Sequence, residues 1–260
     1  MSTRMNSPHD FGMSVPIGFA RKSIRIGAAV AAWSLAAGIA SAVPEYQVTD
    51  LGTLGGTNVV AAGINDYGQV VGWSQDSNGW TQAFVWQNGT MTGLGFLPGG
   101  TTSVANAINN NGEVTGFSYV SATNSHAFLY VSNGLVDLGT LGGPNSNGRA
   151  INDAGEIAGS SRHSPTVSDN SSFLWRSNQM IRIPPFGGAG SCDGYGINQT
   201  GQVSGVTFVY TPGPRWWAYV WADTNGNLVH DAGEMHLLGY LGAKDSVGEG
   251  SGSYAGNAIG

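Results

Sequence analysis

Ile64-Asn65-Asp66-Tyr67-Gly68-Gln69-Val70-Val71-Gly72 is a segment that returns three more times along the chain. The later copies occupy 108–116, 151–159 and 197–205, and each keeps the Ile-Asn pair and both glycines. Successive copies start 44, 43 and 46 residues apart. A fixed period of this length is the sequence signature of tandem repeats.

Two further motifs accompany each copy in a constant order. One is a short aromatic segment, found at 83–86, 126–130, 172–175 and 218–221. The other is a Leu-Gly-type segment, found at 51–56, 94–100, 138–143, 183–188 and 238–243. Together the motifs define repeats 1 to 4 at about 46–100, 101–143, 144–188 and 189–243, followed by a partial fifth at 244–260.

The residue types predict about four short strands in each repeat. Asn65 to Gly68 has the composition of a hairpin turn, because Asn and Asp bond their own backbone and Gly accepts positive φ. Asn88-Gly89 predicts a second hairpin after the aromatic segment. One glycine per repeat lies inside a predicted strand, where a close backbone approach or a bend requires it: Gly72, Gly116, Gly159 and Gly205.

Four strands in 40–50 residues match a propeller blade, so the sequence predicts an all-β, β-propeller-like fold. An open stack or solenoid of the same sheets is the alternative. Residues 46–52 resemble the last strand of a repeat, and 254–260 resemble a first strand. We therefore interpret the chain as four full blades plus a partial fifth that is cut short. An unpaired strand edge there would favour aggregation or partner binding.

The N-terminus predicts a signal peptide at 1–42. A basic cluster at 21–25 precedes an apolar run at 26–39, and Ala40-Ser41-Ala42 offers a small-x-small cleavage site. The run is too short for a stable bilayer anchor, so a membrane anchor or a buried helix is the weaker interpretation. We expect export, an extracellular or cell-surface location, and no membrane span after cleavage.

The charge balance argues against two classes of partner. The chain carries 10 basic and 16 acidic side chains, and removal of 1–42 leaves 6 and 15. The resulting net charge of −9 disfavours nucleic acid and anionic membrane surfaces. Cys192 is the single cysteine, so no intramolecular disulfide can form and the core alone must stabilise the fold.

Repeat 4 departs from the others through a longer polar loop after its aromatic segment. Its side chains occupy positions 1, 3, 5, 9 and 12 of a twelve-residue calcium loop: Asp223, Asn225, Asn227, Asp231 and Glu234. The backbone carbonyl of Val229 would fill position 7. Glycine stands at 226, and Leu228 takes the usual glycine's turn position. The loop predicts a structural calcium site, and a polar loop that merely favours turns is the alternative.

Other candidate chemistry is less specific. The histidines show no metal-ligand spacing, Cys192 lacks a sequence-fixed partner base, and no motif pairs two acids for glycoside hydrolysis. Aromatics that recur once per repeat are expected in the core: Trp86, Tyr130, Trp175 and Trp221. Aromatics outside the pattern could stack on sugar rings: Trp73, Trp80, Trp216 and Tyr240.

These motifs resemble the bacterial extracellular HAF repeat family. The triplet that names the family is intact at His126-Ala127-Phe128, while the other repeats vary its histidine. The Ile-Asn and Leu-Gly elements are also present, and the resemblance covers roughly residues 46–260. It implies an exported or surface protein with a propeller-like repeat, and it implies no catalytic residues.

The sequence favours a secreted, non-enzymatic repeat protein for extracellular binding, adhesion or structure, with a glycan or cell-surface partner and one calcium ion. A secreted carbohydrate-active propeller enzyme is the alternative, and it would need a repeat that breaks the pattern with convergent acids. A truncated gene product without activity is the third interpretation.

Overall fold

The structure is a computed structural model that describes residues 46–132, 134–188, 190–209 and 215–239. The predicted signal peptide at 1–42 and the partial fifth repeat at 244–260 lie outside these residues. The chain divides into two compact parts, Met1–Gln47 and Val48–Gly260, and the repeats occupy the second. Within the described ranges, no helix has the length and hydropathy that crossing a bilayer requires.

The described residues form sixteen strands in four sheets. Sheet 1 contains β1 (Gly55–Ile64), β2 (Val70–Asp76), β3 (Thr81–Gln87) and β4 (Thr90–Gly95). Sheet 2 contains β5 (Ser103–Ile108), β6 (Val114–Tyr119), β7 (Ser125–Val131) and β8 (Gly134–Asp137). Sheet 3 contains β9 (Ser146–Ile151), β10 (Ile157–Arg162), β11 (Asn170–Arg176) and β12 (Gln179–Ile183). Sheet 4 contains β13 (Cys192–Ile197), β14 (Val203–Val209), β15 (Arg215–Trp221) and β16 (Met235–Gly239).

Each sheet is an antiparallel meander whose strands pair in chain order. The first strands of successive sheets, β1, β5, β9 and β13, lie next to one another. Each of β2, β6 and β10 packs against the first strand of the following sheet. This is the stacking of propeller blades, so the predicted all-β, propeller-like fold is confirmed for its four complete repeats.

The core lies between sheets rather than inside any one of them. One apolar cluster joins Val71 and Leu94 of repeat 1 to Ala105 and Phe128 of repeat 2. Two further clusters join repeats 2 and 3, and repeats 3 and 4, in the same manner. A sheet therefore buries its apolar face only against its neighbour, as expected of a tandem repeat.

In repeats 1 to 3, the fully buried aromatic ring is not the one that the sequence pattern singled out. Trp86, Tyr130 and Trp175 are half-buried, and only Trp221 of that set is fully buried. The fully buried rings stand two residues earlier: Phe84, Phe128, Phe173 and Tyr219. Residues two apart point to the same face of a strand. The sequence pattern therefore predicts which face of the strand is apolar, but not which of its two aromatic rings is fully buried.

The Ile-Asn segments form the hairpin turns between the first and second strands, as predicted. In repeat 1, the amide of Asn65 donates to the carbonyl of Gln69, and the amide of Gly68 donates to the carbonyl of Asn65. The Asn65 Oδ1 accepts the backbone N–H of Tyr67 and of Gln69. Gly68 has a φ of 72°, a conformation that favours glycine.

The same asparagines also join neighbouring repeats. The Nδ2 of Asn65 donates to the carbonyl of Asn109 at 3.0 Å, and the Nδ2 of Asn109 donates to the carbonyl of Asn152 at 2.9 Å. The Nδ2 of Asn152 continues the series to the carbonyl of Asn198 at 3.0 Å. We call this series the asparagine ladder. It connects all four repeats at one end of the sheets.

A second series of hydrogen bonds runs through the Leu-Gly segments. In each repeat, the backbone N–H of the second apolar residue donates to a buried hydroxyl on the second strand of a sheet. The pairs are Leu54–Ser74 at 3.0 Å, Leu97–Ser118 at 3.0 Å, Leu141–Ser161 at 2.9 Å and Phe186–Thr207 at 3.0 Å. The repeated serine or threonine therefore satisfies a backbone donor that folding removes from water.

Residues 46–50 form no strand, although their sequence resembles a last strand. Every third strand in the described residues already pairs with a fourth strand of its own sheet, as β3 does with β4. Among these four sheets, no third-strand edge is left for residues 46–50 to extend. Tyr46 and Val48 are accordingly 87% and 95% exposed.

Candidate functional site

A polar cavity of about 370 Å³ lies between sheets 2 and 3. We call it the groove, and it is lined by Phe117, Tyr119, Asn145, Asn147, Arg149 and Arg162, together with small polar residues. It opens at the ends of β6 and β10, whereas the asparagine ladder lies at the opposite ends of these strands. Its volume falls within the range of small-molecule sites, about 300–1,000 Å³.

A β-bulge places Arg149 in the wall of the groove. Gly148 pairs with Gly159 and Ala150 pairs with Ala158, which leaves Arg149 as the extra residue of β9. Every first strand carries a bulge at the same place, and the extra residues are Ala62, Asn106, Arg149 and Tyr195. The position of the bulge is the same in all four repeats, but the extra residue carries a different side chain in each. Bulges often redirect a side chain next to a functional site.

The two asparagines of the groove present hydrogen-bond donors. The Asn145 Oδ1 accepts the backbone N–H of Ser125 at 3.0 Å, and the Asn147 Oδ1 accepts the Nδ2 of Asn106 at 2.7 Å. The Asn106 Nδ2 also donates to the carbonyl of Gly148, which fixes its orientation and therefore that of Asn147. Within the described residues, the Nδ2 groups of Asn145 and Asn147 donate to no protein atom.

The two arginines of the groove differ in their surroundings. Arg149 lies over the Tyr195 ring, 4.6 Å from Cζ to centroid, and its Nη2 is 3.8 Å from the Asp193 Oδ1. Arg162 has no carboxylate within 4.0 Å among the described residues. Phe117 and Tyr119 complete the wall with an edge-to-face contact, 6.2 Å between ring centroids. The groove thus combines donors and positive charge with aromatic surface.

The predicted calcium loop folds around backbone hydrogen bonds. Asp223, whose side chain is fully buried, accepts the N–H of Gly226 at 2.8 Å and that of Leu228 at 3.2 Å, and lies 3.6 Å from the Arg176 Nη1. Glu234 is buried, and its two oxygens accept the N–H of Thr224 at 3.0 Å and of Asp231 at 2.8 Å. These two carboxylates organise the loop from inside.

The exposed side of the loop brings three predicted ligands together. The Nδ2 atoms of Asn225 and Asn227 donate to one oxygen of Asp231, at 2.7 and 2.6 Å. These hydrogen bonds hold the pKa of Asp231 below its ordinary value. Val229 lies at the surface, and Leu228 adopts a positive φ of 61° at the position where calcium loops carry glycine.

The structure does not gather the loop's acids into one cluster. Among the described residues, no three His, Cys, Asp or Glu side chains form a group that could hold a metal ion. Asp223, Asp231 and Glu234 instead bond to amides, and each carboxylate retains further lone pairs. The donor set is all oxygen and suits a hard cation, which would replace the two amide donors at Asp231.

His230 fixes the other side of this loop. Its Nδ1 accepts the indole N–H of the buried Trp221 at 3.0 Å, so the imidazole must be neutral there. Burial lowers the pKa of His230, and the charges of Glu234 and Asp231 oppose that shift. Protonation therefore competes with the folded loop.

We expect stability to decrease as the pH falls below about 6.5, because the unfolded His230 then binds protons more readily than the folded one. His230→Gln keeps an acceptor for Trp221 and should flatten this part of the profile. His236→Gln, which changes an exposed histidine, is the control. Thermal unfolding between about pH 5 and 7 measures the effect. Equal slopes in the wild type and His230→Gln would contradict the prediction.

Cys192 is buried and belongs to a polar cluster that the sequence did not reveal. The hydroxyl of Tyr219 donates to the Ser172 Oγ at 2.6 Å, and the Ser172 Oγ lies 3.1 Å from the Cys192 Sγ. Burial raises the pKa of both Cys192 and Tyr219. The Cys192 side chain is fully buried and presents no surface to solvent.

The aromatics outside the repeat pattern have different environments. Trp80 and Trp216 are 48% and 54% exposed, and each contacts another ring edge-to-face. Trp73 is half-buried, and Tyr240 lies outside the described residues. Sequence reasoning thus named two exposed rings but missed the groove. The groove could have been found in the sequence from Arg149 and Arg162, because the other repeats carry no arginine at the equivalent positions.

No family model matches this chain, and no curated protein is similar to it. Among solved structures, it is similar to the crystal structure of TolB from Acinetobacter baumannii, with a TM-score of 0.47 and 9% sequence identity. The similarity covers 70% of this chain and 43% of the TolB chain. The chain therefore spans less than half of the protein that it resembles.

Proposed function

We propose that this chain is an exported, non-enzymatic repeat protein of the HAF type that binds a glycan or cell-surface partner outside the cell. The observation that carries this proposal is the equivalence of the four repeats. Their recurrent polar residues serve the asparagine ladder and the serine and threonine hydrogen bonds. The residue at the bulge differs in each repeat, and one of these residues, Arg149, lines the groove.

The acids of the repeated turns support a structural role over a catalytic one. Glu113 accepts the Nδ2 of Asn109 at 2.6 Å, and Glu156 accepts the Nδ2 of Asn152 at 2.7 Å. Glu156 also pairs with the guanidinium of Arg176. A glycoside hydrolase needs one carboxyl that can donate a proton and a second that faces the same bond. The carboxylates of these two glutamates are instead engaged by asparagine and arginine donors of the repeats themselves.

A glycan-binding screen with the purified chain tests the proposal. We expect binding to at least one class of glycan without any change in the glycan's mass. Release of shorter sugars would instead favour the carbohydrate-active enzyme. Failure to bind any glycan or any bacterial surface preparation would contradict the binding role. Export is tested separately, by N-terminal sequencing of the secreted product, which should begin after Ala42.

We further propose that the repeat 4 loop binds one calcium ion with a stabilising effect. The alternating oxygen donors support this, as do the two structural carboxylates that shape the loop. Free calcium at about ten- to a hundredfold above its Kd should raise the free energy of unfolding by about 1.4–2.7 kcal/mol. Thermal unfolding with and without millimolar calcium measures this, with magnesium as the ion control.

Two variants separate calcium loss from loop damage. Asp223→Ala should abolish the calcium effect but should also lower stability without calcium, because Asp223 caps two amides beside Arg176. Asp231→Asn removes one charge from the exposed side with little change in shape. It should abolish most of the calcium shift and leave the metal-free stability nearly unchanged. Absence of a calcium shift in the wild type would refute the site.

A further inference from the structure

We propose that the groove between sheets 2 and 3 binds an acidic sugar, a pyranose ring that carries a carboxylate or sulfate group. This inference rests on the proposed binding role, but not on export or on calcium. Its basis is the chemistry of the groove wall, which is rich in hydrogen-bond donors and positive charge in a chain that is acidic overall.

Three side chains of the groove keep donors that no protein acceptor satisfies within the described residues: Asn145, Asn147 and Arg162. The amide oxygens of Asn145 and Asn147 are held by neighbouring donors, so their Nδ2 groups are available to a ligand. The guanidinium of Arg162 has no carboxylate partner within the described residues. A wall of this kind is complementary to an anionic group with several acceptor oxygens.

The contrast between the acidic chain and the basic groove also supports an anionic ligand. The chain carries 16 acidic side chains against 10 basic ones, yet the groove is lined by two arginines and by no carboxylate. Asp193, the nearest carboxylate to Arg149, lies 3.8 Å from its Nη2, is not part of the groove lining, and also accepts the Nδ2 of Asn170. A cleft with one sign of charge concentrates ligands of the opposite sign.

The aromatic wall supplies the second half of the recognition. Phe117 and Tyr119 are half-buried on the sheet 2 side, opposite the donors of sheet 3. Such rings offer apolar surface to the C–H face of a sugar, while the donors hold its anionic group. An inorganic anion would use the donors alone. The aromatic surface therefore favours a sugar acid over a free ion.

The equivalent positions between the other sheets do not carry the asparagine and arginine of the groove. Between sheets 1 and 2, the strand registers place Val104 and Asn106 where Asn147 and Arg149 stand. Between sheets 3 and 4, the same positions carry Asp193 and Tyr195. Only the gap between sheets 2 and 3 joins an asparagine to an arginine at these positions within the described residues. The recognition is therefore a local specialisation of a repeated scaffold.

Isothermal titration of the full purified chain tests the inference with four probes: D-glucuronate, D-glucose 6-sulfate, D-glucose and inorganic sulfate. We expect at least one sugar acid to bind about tenfold or more tightly than both glucose and inorganic sulfate, because charge-assisted hydrogen bonds and ring contacts act together. Equal binding of glucose, equal binding of inorganic sulfate, or no binding of either sugar acid would overturn it.

Three variants locate the site. Arg162→Gln should weaken sugar-acid binding about tenfold or more, since it removes a charged donor. Asn147→Asp keeps the acceptor for Asn106 but places a negative charge in the wall, and it should also weaken binding. Arg182→Gln, a control on the outer strand β12, should bind as the wild type does. Unchanged thermal unfolding of each variant verifies its fold.

The results separate this inference from the general function. Binding of neutral glycans without binding of any sugar acid, for example through the exposed Trp80, would refute the groove as an acidic-sugar site and leave the proposed binding role intact. Unaltered sugar-acid affinity in both Arg162→Gln and Asn147→Asp would likewise refute the groove as the site.

Discussion

Replacing Gly116 with alanine is expected to destabilise the chain by about 3 kcal/mol or more, or to prevent folding. A Cβ at this position would stand 1.9 Å from the carbonyl oxygen of Val104 and 2.9 Å from the Ala105 Cα. Both contacts are backbone atoms of the paired strand β5, so no side-chain rotation can relieve them. Ala105 is itself buried against repeat 1, which prevents β5 from moving away.

The same collision recurs in every repeat. A Cβ would meet a first-strand carbonyl at 1.9 Å from Gly72, at 2.1 Å from Gly159 and at 2.0 Å from Gly205. The first strand bulges at this point, and glycine lets it approach the second strand. The sequence prediction of a close backbone approach is confirmed at all four positions.

Urea denaturation followed by circular dichroism measures the loss of stability in Gly116→Ala. Gly196→Ala is a matched control, because its Cβ would meet only the hydroxyl of Ser204, a side chain that can turn away. We expect a change below about 1 kcal/mol for that control. A Gly116→Ala protein that unfolds at the wild-type midpoint would show that the strands can separate here.

Replacing Asn109 with alanine is expected to cost about 3–5 kcal/mol, because one buried side chain makes four hydrogen bonds. Its Oδ1 accepts the backbone N–H of Asn111 at 3.0 Å and of Glu113 at 2.9 Å. Its Nδ2 donates to Glu113 and to the carbonyl of Asn152 in the next repeat. The substitution leaves each of these groups unpaired in a site that is only 4% exposed.

Asn198→Ala provides the internal comparison. Within its turn, the Asn198 Oδ1 accepts the backbone N–H of Thr200 and of Gln202, and its Nδ2 donates to the Gln202 side chain. Asn198 is more exposed than Asn109, and within the described residues it donates to no further repeat. We expect its substitution to cost about 1–2 kcal/mol. The difference between the two variants, measured by urea denaturation, reports the contribution of the asparagine ladder. Equal effects would show that the ladder contributes nothing beyond each turn.

The fold could be predicted from the sequence because its determinants are local and repeated. The hydrogen bonds of the turn at Asn65 involve only residues within five positions of it. The second hairpin depends on two residues, Asn88 and Gly89, which both adopt a positive φ. The reach of Asn65 to Asn109 was not predictable, because a donor that crosses 44 residues depends on how sheets stack. The depth of Phe84 relative to Trp86 depends on the same stacking.

The candidate site was predicted less well. The calcium loop is visible in sequence because its ligands alternate over twelve residues, but the structure turns Asp223 and Glu234 inward to backbone amides. The groove is invisible to motif reading, since Arg149 reaches it through a bulge and Arg162 comes from another strand. Alignment of the repeats against one another would have marked both arginines as departures.

Native-state hydrogen exchange is the most direct test of the central claim, that four equivalent sheets stabilise one another through repeated contacts. The second strands β2, β6, β10 and β14 lie inside their sheets. We predict slow exchange that recurs every 43–46 residues, including the amides of Leu97 and Leu141, which donate to buried serines. Protection confined to one segment, or protection without this period, would contradict the account.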